Sequence, residues 1–342
     1  MFGNPFATPK PRRLLSALFL LVCSCVGTGA LFSTSVHAQT QQSPSDDGDA
    51  WLERLAHMDE LNFHGVMIYT RGDHQESLRV THGMYNGELY ERLEHLDGKR
   101  REVIRHGEQI TCIQLGQRLD RLFHRHLLKA SLANLDPYYA ITTGPDTRIA
   151  GHQAVTLQIE PRDDLRFGYR LALDRDTGLL LRFESLNHFG HVLERLQFVE
   201  VEIGGPLKKE WLGDALDTKD SKAPNPTPIE RVVEEGQMPW KPQWLPPGFS
   251  LALAPHRVAE DALTYSDGLA VLSVFVENPS EPMPRGEGSA TQGATVAYTR
   301  PVEVDGVRHL VLVVGEVPKA TARRVAESVA WRAATPQSGA AP

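Results

Sequence analysis

The sequence predicts a mainly β, α+β protein: one large curved antiparallel sheet with short helices, then a smaller antiparallel sheet with a C-terminal helix. Three observations predict it. From Phe63 to about Ile203 the apolar period is two, broken by Gly72-Asp73, Asn86-Gly87 and Asp97-Gly98. After Gly204-Gly205-Pro206 the chain turns rich in Lys, Asp, Pro and Asn ("DTKDSKAPNPTP"), a linker composition. Strand-like runs then resume and close on a single helical pattern, "PKATARRVAESVAW".

The chain has 342 residues and a net charge of −7. Lys10, Arg12 and Arg13 precede the apolar run "LLSALFLLVCSCVGTGALF". Val36 and Ala38 then occupy the −3 and −1 positions of a signal-peptidase site, so residues 1–38 are read as a signal peptide cleaved after Ala38. An uncleaved anchor is the rival, since the run is about long enough to span a bilayer. A lipoprotein fits poorly, because Val22 precedes Cys23 and Ser24 precedes Cys25 without a leucine three back. Cleavage would leave 304 of the 342 residues and, with three cations gone, move the net charge from −7 to −10. Cys112 would remain alone, unable to close an intramolecular disulfide. It reads as a small buried apolar residue.

Residues 39–48 read as a disordered polar start. A helix follows, with Asp49 as N-cap and Trp51, Leu52, Leu55, Met58 and Leu61 at helical spacing. The first β domain is placed at 49–204. Its early strands are "FHGVMIYTRG", "SLRVTHGMY", "ELYERLEHL", "REVIRHG", "QITCIQLG" and "QRLDRLFH". Asn-Gly and Asp-Gly supply the positive φ of tight hairpin turns, so these strands form a meander. "LLKASLANL" interrupts it as a brief helix. "YYAITT", "HQAVTLQIEP", "FGYRLALD", "LLLRFESL" and "HVLERLQFVEVEI" continue it, with "LDRDTGLL" as a hairpin turn. About ten strands in a row make a sheet that curls and leaves a concave apolar face. Residues 205–238 are the linker, 239–333 a small α+β domain and 334–342 a disordered tail. In the small domain "LAVLSVFVE" is a strand near a sheet edge, and "PSEPMPRGEGSATQG" is a loop.

The search for chemistry finds no catalytic signature, no metal site and no cofactor motif, and the chain is read as a non-enzyme. His124 and His126 could share one side of a strand, but no third ligand accompanies them. "DRDTG" lacks the later ligands of a calcium loop. Asp163-Asp164 sit in a turn beside Pro161. One charge pattern stands out. Lys99, Arg100, Arg101, Arg105, Arg118, Arg121, Arg125 and Lys129 outnumber Glu102, Glu108 and Asp120, a local net of +5. In an exported protein such a stretch suits phosphorylated glycolipid or an acidic peptide rather than nucleic acid; a solvated strand face is the plain alternative.

The segments "WLERLAHMDELNFHGVMIYTRG", "WLPPGF", "YSDGLAVLSVFVE" and "VVGEVPKATARRVAESV" resemble the RseB/MucB family, over roughly Ala50 to Trp331. The resemblance implies a periplasmic negative regulator of the envelope-stress sigma factor. It implies a LolA-like first domain, an unclosed β-barrel with an apolar hollow, and a second domain that binds the periplasmic part of an RseA/MucA-type anti-sigma factor. Binding would shield that segment from a DegS-type site-1 protease, and lipid or lipopolysaccharide would displace it. Trp244, Tyr265, Ser266, Asp267 and Phe275 are the candidate partner-binding residues, with Tyr265, Ser266 and Asp267 expected at an exposed turn; a homo-oligomer is left open. The alternative is a periplasmic lipid or lipoprotein carrier without regulatory output.

Overall fold

The turn residues singled out above close real hairpins. Asn86 (φ 52°) and Gly87 (φ 84°) form a two-residue turn between long strands, a backbone that twists with them. The computed structural model describes residues 44–99, 101–106, 109–110, 135–213, 238–252, 262–277 and 286–332. The signal peptide and its site at Ala38, Cys112, His124, His126, most of the expected brief helix, most of the linker and the tail lie outside the described residues.

The first sheet has eleven strands: β1 (Phe63–Arg71), β2 (His74–Tyr85), β3 (Glu88–His95), β4 (Glu102–His106), β5 (Gln109–Ile110), β6 (Tyr139–Thr143), β7 (Thr147–Ile149), β8 (His152–Pro161), β9 (Gly168–Asp174), β10 (Leu180–Leu186) and β11 (Val192–Ile203). Their order is β5-β4-β3-β2-β1-β11-β10-β9-β8-β6, with β7 on β8. All the pairings are antiparallel. Two meanders are therefore zipped together where the first strand meets the last, β1 against β11. Among the described residues β5 and β6 end the path and do not pair with each other, so the sheet is not closed.

Alternation puts Phe63, Met67, Leu78, Val80, Leu157, Leu171, Leu196 and Phe198 into one core. Helix α1 (Pro44–Ala56) lays Leu52 and Leu55 onto that face, and Met58 follows from a short 3-10 turn (Met58–Glu60). α1 begins five residues before the expected cap Asp49, so part of the expected disordered start is helical; Pro44 suits a first helical turn, where a missing N–H is harmless. On the opposite face, helix α2 (Lys209–Leu212) seats Leu212 with Leu207 on Tyr90 and Ile104. Trp211 stacks on His64 there with centroids 4.4 Å apart.

The second part is a six-stranded antiparallel sheet: β13 (Ser250–Leu251), β14 (Ala262–Ser266), β15 (Val271–Glu277), β16 (Gly288–Gln292), β17 (Thr295–Val304) and β18 (Val307–Gly315), in the order β13-β14-β15-β18-β17-β16. A separate pair joins β12 (Trp240–Pro242) to β19 (Val329–Trp331). Helix α3 (Lys319–Glu327) buries Ala322, Val325 and Ala326 against Leu272, Val274, Val296, Val311 and Val313. Pro318 is its N-cap. Two expectations are corrected. "LAVLSVFVE" is interior: β15 lies between β14 and β18, paired on both sides over Leu272–Phe275, so it is not an edge that takes an added strand. "GSATQ" is not loop but the edge strand β16, exposed throughout and paired only with β17. Among the described residues, both sheets pack as one unit.

Candidate functional site

The seam between the two sheets is the most constrained polar site. The bend after β8 carries Arg166, whose side chain is 0% exposed. Its guanidinium donates from Nη1 to Asp267 Oδ2 (2.6 Å), from Nη2 to the Pro247 carbonyl (2.6 Å) and from Nε to Asp163 Oδ1 (3.1 Å). The Tyr139 hydroxyl donates to the same Asp267 oxygen at 2.9 Å. Asp267 Oδ1 accepts the N–H groups of Leu269 (3.0 Å) and Ala270 (2.9 Å), which folds the "SDGLA" turn around the carboxylate. Buried charge is tolerated only when paired and hydrogen-bonded, and both conditions hold here. Burial, with the neighbouring Tyr169 and Asp267, pushes the Tyr139 phenol well up, so it stays a donor at neutral pH.

Further contacts tie the sheets. Thr321 Oγ1 donates to the Leu165 carbonyl at 2.9 Å. Gly248 (φ 89°) lies against the Tyr138 ring so closely that a Cβ there would collide with it. At the other end, Glu194 of β11 is buried; it accepts the Ala294 N–H at 2.9 Å and the Tyr69 hydroxyl at 2.8 Å. The β16–β17 turn is thereby held on the first sheet.

This geometry corrects the expected exposed turn. Asp267 is 7% exposed because it faces the other sheet rather than solvent, and Tyr265 is 1% exposed because it packs into the second sheet's own core. Ser266 is half-buried and spends its hydroxyl on the turn, donating to the Ala270 carbonyl at 2.9 Å and accepting the Gly268 N–H at 3.0 Å. Trp244 is half-buried under the Arg324 guanidinium, 3.9 Å from the ring centroid. Phe275 is half-buried on the face of β15 opposite Leu272, Val274 and Val276. There it shares a cross-strand row with Leu312 and Thr299, and the next row holds Ser273, Val314 and Ala297. All six are half-buried, a mostly apolar face turned away from α3.

The basic stretch is not brought together by the described residues. Lys99 is exposed; Arg101 lies 3.2 Å from His95 Nδ1 and 3.6 Å from Glu76 Oε1. Arg100, Arg118, Arg121, Arg125, Lys129 and the Arg105 side chain lie outside the described residues. Asp163 does stand in a turn, as expected, and also anchors Arg166. The seam residues Arg166 and Glu194 were missed by sequence reasoning, and no local signal marks them, since their partners lie 101 and 100 residues away.

Beneath Met58 a shallow, mostly apolar pocket of about 280 Å³, open to solvent on one side, is lined by Met58, Met67, Leu180, Leu181, Arg182, Phe183, Leu196 and Phe198. Its enclosed part is about the size of one water. Among the described residues no three His, Cys, Asp or Glu side chains are placed to hold a metal, and no helix is long and apolar enough to cross a membrane.

An open sheet backed by a helix, with a smaller sheet docked beside it through buried polar contacts, defines a two-part β protein whose assets are a seam and an apolar face. The family profile of the MucB/RseB N-terminal domain matches residues 47–216, and that of the MucB/RseB C-terminal domain matches residues 234–330. The sigma factor AlgU regulatory protein MucB of Pseudomonas aeruginosa is 36% identical over 301 residues, covering 84% of this chain and 92% of that protein. The sigma-E factor regulatory protein RseB of Haemophilus influenzae is 29% identical over 318 residues, covering 89% and 96%. A crystal structure of MucB in complex with MucA(peri) superposes with a TM-score of 0.67 at 35% identity, covering 84% of this chain and all of that one. The chain belongs to the MucB/RseB family.

Proposed function

We propose that the chain is a periplasmic regulator that binds the periplasmic segment of an RseA/MucA-type anti-sigma factor. Bound, it shields that segment from site-1 proteolysis and so restrains the envelope-stress sigma factor; lipid or lipopolysaccharide releases it. The observation that carries this reading is the likeness, over 84% of the chain, to a MucB solved in complex with MucA(peri). The half-exposed row of Phe275 and Leu312, with Val314 beside it, offers the segment an apolar surface on rigid strands. With β15 interior, docking there is by side chains and not by strand addition.

Release requires that the greasy guest bind the free form more tightly than the complexed one. The pocket beneath Met58 is smaller than the several hundred Å³ usual for ligand sites. Acyl chains therefore enter by displacing Leu52, Leu55 and Met58 from the concave face.

The test is a reconstituted cleavage assay with a site-1 protease and the anti-sigma periplasmic segment. Added protein slows cleavage at least tenfold, Phe275→Asp loses most of that protection, and lipopolysaccharide restores cleavage. Unchanged cleavage with the wild-type chain refutes the reading.

A further inference from the structure

The outer face of the large sheet, opposite the apolar core, carries a cluster that the proposed function does not use. Cross-strand pairing sets Arg170 (β9), Glu184 (β10) and Arg195 (β11) in one row, and Ala172, Arg182 and Gln197 in the next. The Glu184 side chain is 1% exposed. Its carboxylate takes Arg195 Nε at 2.6 Å and Arg170 Nη1 at 3.0 Å, while Arg182 Nε stands 4.0 Å away. Two arginines already occupy both oxygens. The third is surplus: Arg182 Nε is buried and donates no hydrogen bond.

Three guanidiniums around one carboxylate leave a local charge of +2. Burial lowers the proton affinity of Arg182, and Arg195 and Arg170 lower it further against the pull of Glu184. The site is thus electrostatically strained in the direction that an arriving anion relieves. Arg182 stands opposite Ala172, which is fully buried beneath its neighbours. Arg170 and Arg195 are held from below by Glu184, so their forks are fixed before any ligand arrives.

We propose that Arg170, Arg182 and Arg195, templated by the buried Glu184, form a binding site for a phosphate monoester. A monoester carries about −1.5 to −2 at neutral pH, which matches the surplus. A single carboxylate would leave one cation unmet. This site is separate from the apolar face of the second sheet and stands whether or not that face binds an anti-sigma segment.

The full exported chain is titrated with inorganic phosphate by calorimetry at low ionic strength. The wild type binds; Arg182→Gln weakens binding at least tenfold; Arg148→Gln, an equal charge change at an exposed position on β7, leaves it unchanged. Arg182→Lys keeps the charge without the fork, and it gives the same reading should the glutamine variant not fold. Flotation with phosphatidylcholine vesicles, with and without phosphatidic acid, separates the sources. Retention only with phosphatidic acid assigns a lipid-borne phosphate; phosphate binding without retention assigns a soluble monoester. No phosphate binding by the wild type, or equal losses in the Arg182 and Arg148 variants, overturns the proposal and leaves a structural ion-pair network.

Discussion

Arg166 is fully buried, and its charge is met by Asp267, Asp163 and the Pro247 carbonyl at 2.6–3.1 Å. Removing one partner of such a pair leaves the other charge stranded, a loss of about 3–5 kcal/mol. Arg166→Met is therefore expected to lose about that much stability in urea unfolding; a loss under ~1 kcal/mol would mean that water reaches the seam. His95 supplies a pH dependence. Burial, then the adjacent Arg101, lowers its pKa, while Glu76 and Asp97 pull the other way without winning. The folded state thus binds the proton less well than the unfolded chain, whose value is 6.5. Stability is full above that value and falls as pH drops through it toward the folded value. His64 shifts in the same direction, by burial and Arg79. In chemical denaturation from pH 7.5 to 5.5, His95→Gln should flatten the decline. An equal slope in the wild type and the variant would remove His95 as its cause. Neither role is legible locally: Arg166 and His95 look like ordinary polar residues until their partners are known.

At the scale of elements, α1 is held by its apolar stripe rather than its length. Leu52 and Leu55 are each 4% exposed on the concave face. Leu55→Ala should destabilise by about 2–5 kcal/mol, the range for a buried leucine lost into a packed core. If α1 is the gate for acyl chains, the same variant should bind a fluorescent fatty acid more tightly than the wild type; weaker binding would place the entry elsewhere. The stripe Trp51–Met58 was legible from spacing, but the start of the helix was not. "GSATQ" shows the converse limit. It has no apolar alternation because both its faces are exposed, so periodicity is silent, and only pairing with β17 makes it a strand. For β15 the composition read correctly as strand, while its place in the sheet did not follow. Edge and interior are properties of strand order, which one strand's own residues do not encode.

For the whole molecule, the two sheets meet through the Arg166–Asp267 pair at one end and the Glu194–Ala294 bond at the other, with Thr321 between α3 and the bend. This predicts one cooperative transition in calorimetry for the wild type and two for a variant carrying both Arg166→Met and Glu194→Ala. Two transitions in the wild type would show that the seam does not couple the sheets. By itself the sequence determined the β-rich class, the hairpin turns and the family. Those rest on periodicity, turn chemistry and contiguous segments, all short-range along the chain. The tertiary structure alone decided that β1 closes on β11, that the "SDGL" turn is buried rather than presented, and that three arginines from adjacent strands gather on one carboxylate. These contacts join residues from 11 to more than 100 positions apart. Which distant groups meet is set by strand order and by the burial of charge against its partner, and no local pattern carries that information.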